Sequence, residues 1–214
     1  MNTNNSTLGG YNVPTEDLLS AYESGDKRKA ASIAVAEGTY NASYIFTYSA
    51  NLEIDNYTPV EGKTYVPYTK KYLNPHANPT NTDDNWPIYR YAEALLFMAE
   101  VLNEQNKPAE ALTYLNPIRQ RAGLSEITET NQALLREIII KERRIELAFE
   151  SKRWLDLVRT GKAKDVMTAY GIKMKQKYSY LSESSYIIND FRLLFPLPYH
   201  EVDRNKQLEQ NPGY

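Results

Sequence analysis

The chain has 214 residues, enough length to bury a core. Its 25 lysines and arginines nearly cancel 27 aspartates and glutamates, so no global charge draws it to nucleic acid or to an anionic membrane surface. It has no cysteine, which excludes disulfides, thiolate metal sites, a cysteine nucleophile and a lipidated cysteine within these residues.

The opening MNTNNSTLGGYN lacks the basic and apolar blocks of a secretion signal, and no run approaches transmembrane length. Residues 1–13 read as a polar lead-in. Pro14 and Thr15 open a short helix with Leu18, Leu19 and Tyr22 on its apolar side, and Gly25 stops it. Residues 29–68 mix small residues, β-formers and scattered aromatics, the pattern of irregular loops with short strands. Asn74 to Pro87 is rich in asparagine and proline and reads as a loop.

From Trp86 to Gly123 two helices fold back on each other. Ile88, Tyr91, Ala92, Leu95, Met98, Ala99 and Leu102 recur at helical spacing, while Leu96, Phe97 and Val101 widen the stripe until little is left for water. Pro108 suits the first turn of the second helix, which carries Ala111, Leu112, Leu115 and Ile118 inward and ends at Gly123. Pro117 inside it should kink it or shift its last turn. This is a tetratricopeptide-like hairpin, a unit that ordinarily stacks on neighbours.

Thr130 is the expected N-cap of a long helix reaching about Glu150, with Leu134, Leu135, Ile138, Ile145 and Phe149 on its buried stripe. Glu142 falls within that stripe. A carboxylate there is costly unless paired, so arginines or backbone donors are expected around it rather than a second catalytic acid. A bend near Ser151 lets Trp154, Leu157 and Val158 pack separately up to Gly161. Residues 162–170 read as a helix closed by Gly171. Beyond it, Ile172, Met174, Gln176, Tyr178 and Tyr180 alternate with Lys173, Lys175 and Lys177, the signature of a half-exposed strand, with Tyr186 to Phe195 as its return partner. Pro196, Pro198 and Pro212 predict an extended tail.

Catalytic and metal signatures are missing. His76 and His200 lack ligand-spaced partners, and there is no nucleophile elbow, phosphate-cradling loop or dinucleotide fingerprint. Asp83 and Asp84 read as a solvated loop pair. No metal, no cofactor and no enzyme activity are expected.

Several blocks carry a resemblance. Trp86-Pro87-Ile88-Tyr89-Arg90-Tyr91-Ala92-Glu93-Ala94-Leu95-Leu96, Ile118-Arg119-Gln120-Arg121-Ala122-Gly123-Leu124, Glu142 to Glu150 with Arg153-Trp154 and Asp156-Leu157, and the terminal Gln210-Asn211-Pro212-Gly213-Tyr214 resemble segments of the SusD/RagB outer-membrane glycan-binding proteins of Bacteroidetes. Pro14-Thr15, Asp17-Leu18 and Gly25-Asp26-Lys27-Arg28 are similar to the start of that family's C-terminal region, in the same order. Ser151 stands where the family usually has glycine. The resemblance implies a non-catalytic surface lipoprotein at the extracellular face of the outer membrane. It would capture a glycan, oligosaccharide or peptide nutrient and act with a SusC-like TonB-dependent transporter in polysaccharide utilisation. It also implies a truncated, C-terminal portion, with membrane association only through an N-terminal lipid anchor absent from these residues.

The expected fold is mainly α: a tetratricopeptide-like hairpin plus further helices, long irregular loops and a short β-hairpin. A single domain spans 1–214, divided into the lead-in 1–13, short helix and loops 14–85, the hairpin 86–123, helices 130–171, and hairpin and tail 172–214. Tyrosine is over-represented, with 18 against 5 phenylalanines, and it offers sugars a flat apolar face with a polar rim. Tyr40, Tyr44, Tyr48, Asn51, Tyr57 and Tyr65, with Tyr68, Asn41 and Asn56 nearby, are therefore the candidate ligand-binding residues; the alternative for each ring is packing loops onto helices. Arg90, Glu93, Glu142, Arg143, Glu146, Arg153 and Asp156 are read as ion pairs locking helices together. The alternative function is a tetratricopeptide-like protein-interaction scaffold.

Overall fold

The computed structural model describes residues 12–43, 45–74 and 85–214, which fall into two compact units, one ending at Ser151 and the other spanning Lys152–Tyr214. The fold is mainly helical with one small sheet. Tyr44, His76 and the pair Asp83-Asp84 lie outside the described residues.

In the first unit, Thr15 caps a single helical turn, α1 (Glu16–Leu19), by accepting from the Leu18 N–H at 3.2 Å. Gly25 turns the chain at φ 81° into α2 (Lys27–Ser32), where the pattern suggested only irregular chain. Asp26 makes this helix possible: its Oδ1 accepts from the Arg28 N–H at 2.9 Å. Strands β1 (Ile33–Tyr40), β2 (Phe46–Glu53) and β3 (Thr64–Thr69) then form an antiparallel sheet in the order β2-β1-β3. Pro67 in β3 is tolerated because β3 is an edge strand.

Side chains alternate across a sheet, so the register sorts its residues by face. Ile33, Val35 and Glu37 share one face with Leu52 and Tyr65, and there Ile33, Val35 and Ile54 form an apolar cluster joined by Leu19, Tyr22, Tyr57 and Phe149. Ala34, Ala36 and Gly38 share the other face with Tyr48, Asn51, Glu53, Val66 and Tyr68. The β1–β2 register slips between Glu37 and Gly38. A Cβ at Gly38 would lie 2.3 Å from the Thr47 carbonyl oxygen and 2.5 Å from the Phe46 ring. Gly38→Ala should therefore destabilise the fold by about 1–3 kcal/mol, the usual cost of forcing a methyl into occupied space. A urea midpoint equal to wild type would show that the bulge relaxes freely.

The hairpin appears as α3 (Tyr91–Glu104) and α4 (Pro108–Ala122), with α5 (Gln132–Glu146) packed on α3. Pro108 occupies the first turn of α4, which runs unbroken across Pro117 and ends at Gly123 with φ 81°. Leu96, Ala99 and Leu102 pack against Ala111, Leu115, Ile118, Leu135 and Ile139.

Four expectations for these helices change. Ile88 and Tyr91 are 76% and 78% exposed, and Met98 and Val101 also face outward, so the buried side of α3 is narrower than its apolar pattern. Leu134 is exposed as well, leaving Leu135, Ile139, Glu142 and Ile145 as the buried stripe of α5. Asn131 rather than Thr130 caps α5, its Oδ1 accepting from Ala133 and Leu134. Asn103 and Gln132 exchange side-chain-to-backbone hydrogen bonds at 2.9 and 2.7 Å, tying the end of α3 to the start of α5. The long helix stops at Glu146 rather than Glu150, and Phe149 (φ 69°) and Ser151 (φ 58°) turn the chain in the left-handed region. That conformation suits glycine, which accounts physically for the residue the family resemblance places at 151.

The second unit contains α6 (Arg153–Arg159), α7 (Ala163–Lys177), a 3₁₀ turn (Asp190–Leu193) and α8 (Tyr199–Arg204). Trp154 is half-buried in α6. The strand expected at 172–180 is absent, and its proposed return partner holds the 3₁₀ turn instead. Helix α7 runs straight through Gly171, because Lys173, Met174, Lys175, Gln176 and Lys177 are good helix formers and no breaker intervenes. Gly171 serves close packing: a Cβ there would lie 2.5 Å from the Tyr186 Cβ. The tail is not wholly extended, since it includes α8. Gln210 exchanges hydrogen bonds with the Leu197 backbone at 2.7 and 2.9 Å, and the Tyr214 hydroxyl donates to the Leu194 carbonyl at 2.9 Å.

Candidate functional site

Two arrangements in the first unit carry the charged and aromatic residues singled out by the sequence. The first is a buried ion-pair cage. Helical spacing puts Glu142 and Glu146 on one side of α5, and both are nearly inaccessible to water. Glu142 accepts from Arg28 Nη1 at 2.5 Å and from Arg119 Nη1 at 3.0 Å. Glu146 accepts from Arg28 Nη1 at 3.1 Å, from Arg90 Nη1 at 2.6 Å and from Arg121. Arg90 also forks onto Glu150 through Nε and Nη2, both at 2.8 Å. Asp26 holds the far side of Arg28, and Glu23 that of Arg119. Lys71 donates to the Glu146 and Ala148 carbonyls at 2.8 and 3.1 Å, closing the C-terminal end of α5.

Burial would raise the Glu146 carboxyl, but the hydrogen bonds from Arg90 and Arg121 outweigh it and hold the group at about 2. Glu150 is lowered in the same way by Arg90 and Lys71 against its burial. The Arg119 hydrogen bond brings Glu23 down to about 2. Carboxylates so firmly ionised accept hydrogen bonds well and donate protons poorly, so the cage is suited to holding helices together and not to general acid catalysis. Arg143 adds a related tie between α3 and α5, lying 3.7 Å from Glu93 and 4.2 Å from the Phe97 ring centroid. The scaffold reading of Arg90, Glu93, Glu142, Arg143 and Glu146 thus has a geometric basis. In the second unit, Asp156 pairs locally with Arg159 at 2.8 Å.

Sequence reasoning treated Asp26, Arg28, Lys71 and Arg119 as parts of motifs or left them aside, although they complete the cage. Their signal was the need of Glu142 for cations, which does not say where along the chain they lie. A cleft beside the cage is lined by Tyr22, Gly25, Asp26, Lys29 and Asp55. Of the charges that line it, Asp26 is engaged with Arg28 and Lys29 with Asp55 at 3.1 Å.

The second arrangement is the sheet. Of the candidate ligand residues, Tyr40, Tyr48 and Asn51 share the face that carries Ala34, Ala36 and Gly38. Tyr40 is half exposed, its ring 5.2 Å from that of Phe46. Tyr68, from the opposite edge strand, joins this face; burial first, then the Tyr48 phenol and the Glu53 carboxylate, raise its hydroxyl above the ordinary value. Tyr57 and Tyr65 are separated from these residues. They stack on each other at 5.2 Å and pack against the Ile33–Val35–Ile54 cluster on the other side, where the Tyr65 hydroxyl donates to Glu37 Oε2 at 3.1 Å. Among the described residues no group of three or more histidine, aspartate or glutamate side chains is placed to hold a metal ion.

Comparison with known proteins finds similarity over most of the chain. The family model described as the SusD family matches residues 8–214. SusD-like protein P2 of Formosa agariphila is 32% identical over 216 aligned residues, covering 94% of this chain and 40% of that protein. The starch-binding protein SusD of Bacteroides thetaiotaomicron is 26% identical, covering 95% of this chain and 33% of that protein. Among solved structures, surface glycan-binding protein A from Bacteroides thetaiotaomicron superposes with a TM-score of 0.61 at 26% identity, over 94% of this chain and 41% of that one. The chain therefore spans well under half the length of these relatives.

Proposed function

The chain belongs to the SusD family, and on that premise we propose that it serves non-catalytic glycan capture at the extracellular face of a bacterial outer membrane, beside a SusC-like TonB-dependent transporter. The observation that carries this reading is the family match through residues 8–214. The names of two similar proteins, a starch-binding protein and a surface glycan-binding protein, support glycans as the cargo class. The cage supports the non-catalytic part, because Glu142 accepts from both Arg28 and Arg119, and the neighbouring Glu146 is itself held by Arg90 and Arg121. In this reading the helices and the cage are framing, and the tyrosine-bearing sheet is the part of this chain that meets the ligand.

A peptide-binding tetratricopeptide groove is disfavoured. Such grooves need about three or more stacked repeats, whereas α3 and α4 form one hairpin crossed by α5. The test is a glycan array followed by calorimetry, with chromatography of the same glycans after prolonged incubation. Binding with intact glycans is expected. Released shorter sugars overturn the non-catalytic reading, and binding of peptides but no glycan overturns the cargo class.

A further inference from the structure

We propose that the sheet face over Ala36 is a seat for one uncharged pyranose ring, walled by Tyr48 and Tyr68 and addressed by the Asn51 amide. The inference rests on the glycan-capture reading and adds to it a place and a ligand charge. The central strand supplies the floor: Ala34, Ala36 and Gly38 follow one another on this face, so β1 projects nothing larger than a methyl there. The flanking strands stand about 10 Å apart, at twice the inter-strand spacing. Tyr48, opposite Gly38, and Tyr68, opposite Ala34, rise from those two strands on this same face, diagonally placed about Ala36.

Both ends of the seat are closed. At one end Lys70 Nζ reaches over to Glu53, 2.9 and 3.1 Å from its two carboxylate oxygens. At the other the Phe46 ring lies over Gly38. Ala36 is left between them, half-buried, directly opposite Asn51 on β2 and Val66 on β3.

The chemistry of the walls selects the ligand. The Lys70–Glu53 pair neutralises itself, and between it and Phe46 this face carries only alanine, glycine, tyrosine, asparagine, threonine and valine. A carboxylated or phosphorylated ligand would therefore find no surplus cation. A neutral sugar ring finds two phenol faces for its C–H surface, and two hydroxyls and an amide for its own hydroxyls. Asn51 is exposed and makes no side-chain hydrogen bond among the described residues, so its amide is available.

The test titrates the whole chain with maltohexaose, cellohexaose, xylohexaose, mannohexaose and, as the acidic probe, trigalacturonate. Against the neutral oligosaccharide that wild type binds best, Ala36→Arg, which fills the seat, is expected to lose at least tenfold in affinity. Asn51→Ala, at an exposed position, should lose severalfold while keeping the wild-type melting temperature, so the test stands even if Ala36→Arg fails to fold. Tyr57→Phe, on the opposite face, should bind as wild type does. If wild type binds a neutral sugar and neither Ala36→Arg nor Asn51→Ala weakens it, the seat is wrong while glycan capture stands. If wild type binds only trigalacturonate, the neutral-ligand assignment is overturned. If it binds no member of the panel, the seat falls together with the glycan reading for this chain.

Discussion

Glu146→Ala is expected to destabilise the first unit by about 3–5 kcal/mol, the usual result of removing one partner from a buried ion pair. Glu146 is 2% exposed at its side chain and accepts from three arginines carried by different segments: Arg28 in α2, Arg90 ahead of α3 and Arg121 in α4. Its loss leaves those cations short of one counter-charge, most acutely Arg28, which is largely buried, while Arg121 can turn to water. Arg28 keeps Asp26 and Glu142, and Arg90 keeps Glu150, which sets the expected cost at the lower end of that range. Glu146→Gln preserves shape and should still destabilise, because the negative charge and not the volume is what the arginines need. Urea unfolding followed by circular dichroism measures both variants. A change within about 0.5 kcal/mol, the range of ordinary surface substitutions, would show that the cage does not bear on stability.

The second large effect is loss of stability in acid. Glu146 is held at about 2 in the folded chain against an ordinary value of 4.5. A carboxyl whose folded value is depressed contributes stability that is fully present above the unfolded value and disappears as pH falls through the folded one. Here the window runs from 4.5 down to about 2, and the displacement of Glu146 corresponds to about 3 kcal/mol. Glu150 and Glu23 are displaced in the same direction and reinforce the fall. Lys71 is lowered by its burial, against the raising effect of Glu150. The melting temperature should be nearly flat from pH 7 to 5 and drop steeply below 4.5, and Glu146→Gln should flatten part of that drop. A melting temperature independent of pH between 6 and 3 would overturn the ionised-cage description.

The two arrangements differed in how far they could be read in advance. Glu142 was legible because its helical position sets a carboxylate on the same stripe as Leu135, Ile138 and Ile145, and the cost of burial there demands cations. Which cations answered was not legible: Arg28 is 114 residues away and Arg119 is 23 away, distances over which sequence spacing carries no geometry. The alternation after Gly171 misled because period-2 hydropathy competes with intrinsic helix propensity, and in α7 the propensity of the lysine-rich run prevailed. The tyrosines read as either ligand-binding or packing residues, and how they divide between the two faces of the sheet was hidden. A one-residue slip in strand pairing sends every side chain to the opposite face, and the bulge at Glu37/Gly38 is such a slip.

The sequence by itself determined the helical hairpin, its proline start and glycine stop, the paired state of Glu142 and membership of the SusD family, because periodicity, caps and motifs act within a few turns of chain. Only the tertiary structure decided that α3 leaves Tyr91, Met98 and Val101 outside, that five cations from four segments meet on Glu142, Glu146 and Glu150, and that Tyr48 and Tyr68 lie on one face of the sheet while Tyr57 and Tyr65 turn to the core. The physical reason is the same in each case. An apolar or aromatic side chain is competent for either core or surface, and the choice is made by which distant segment arrives to cover it.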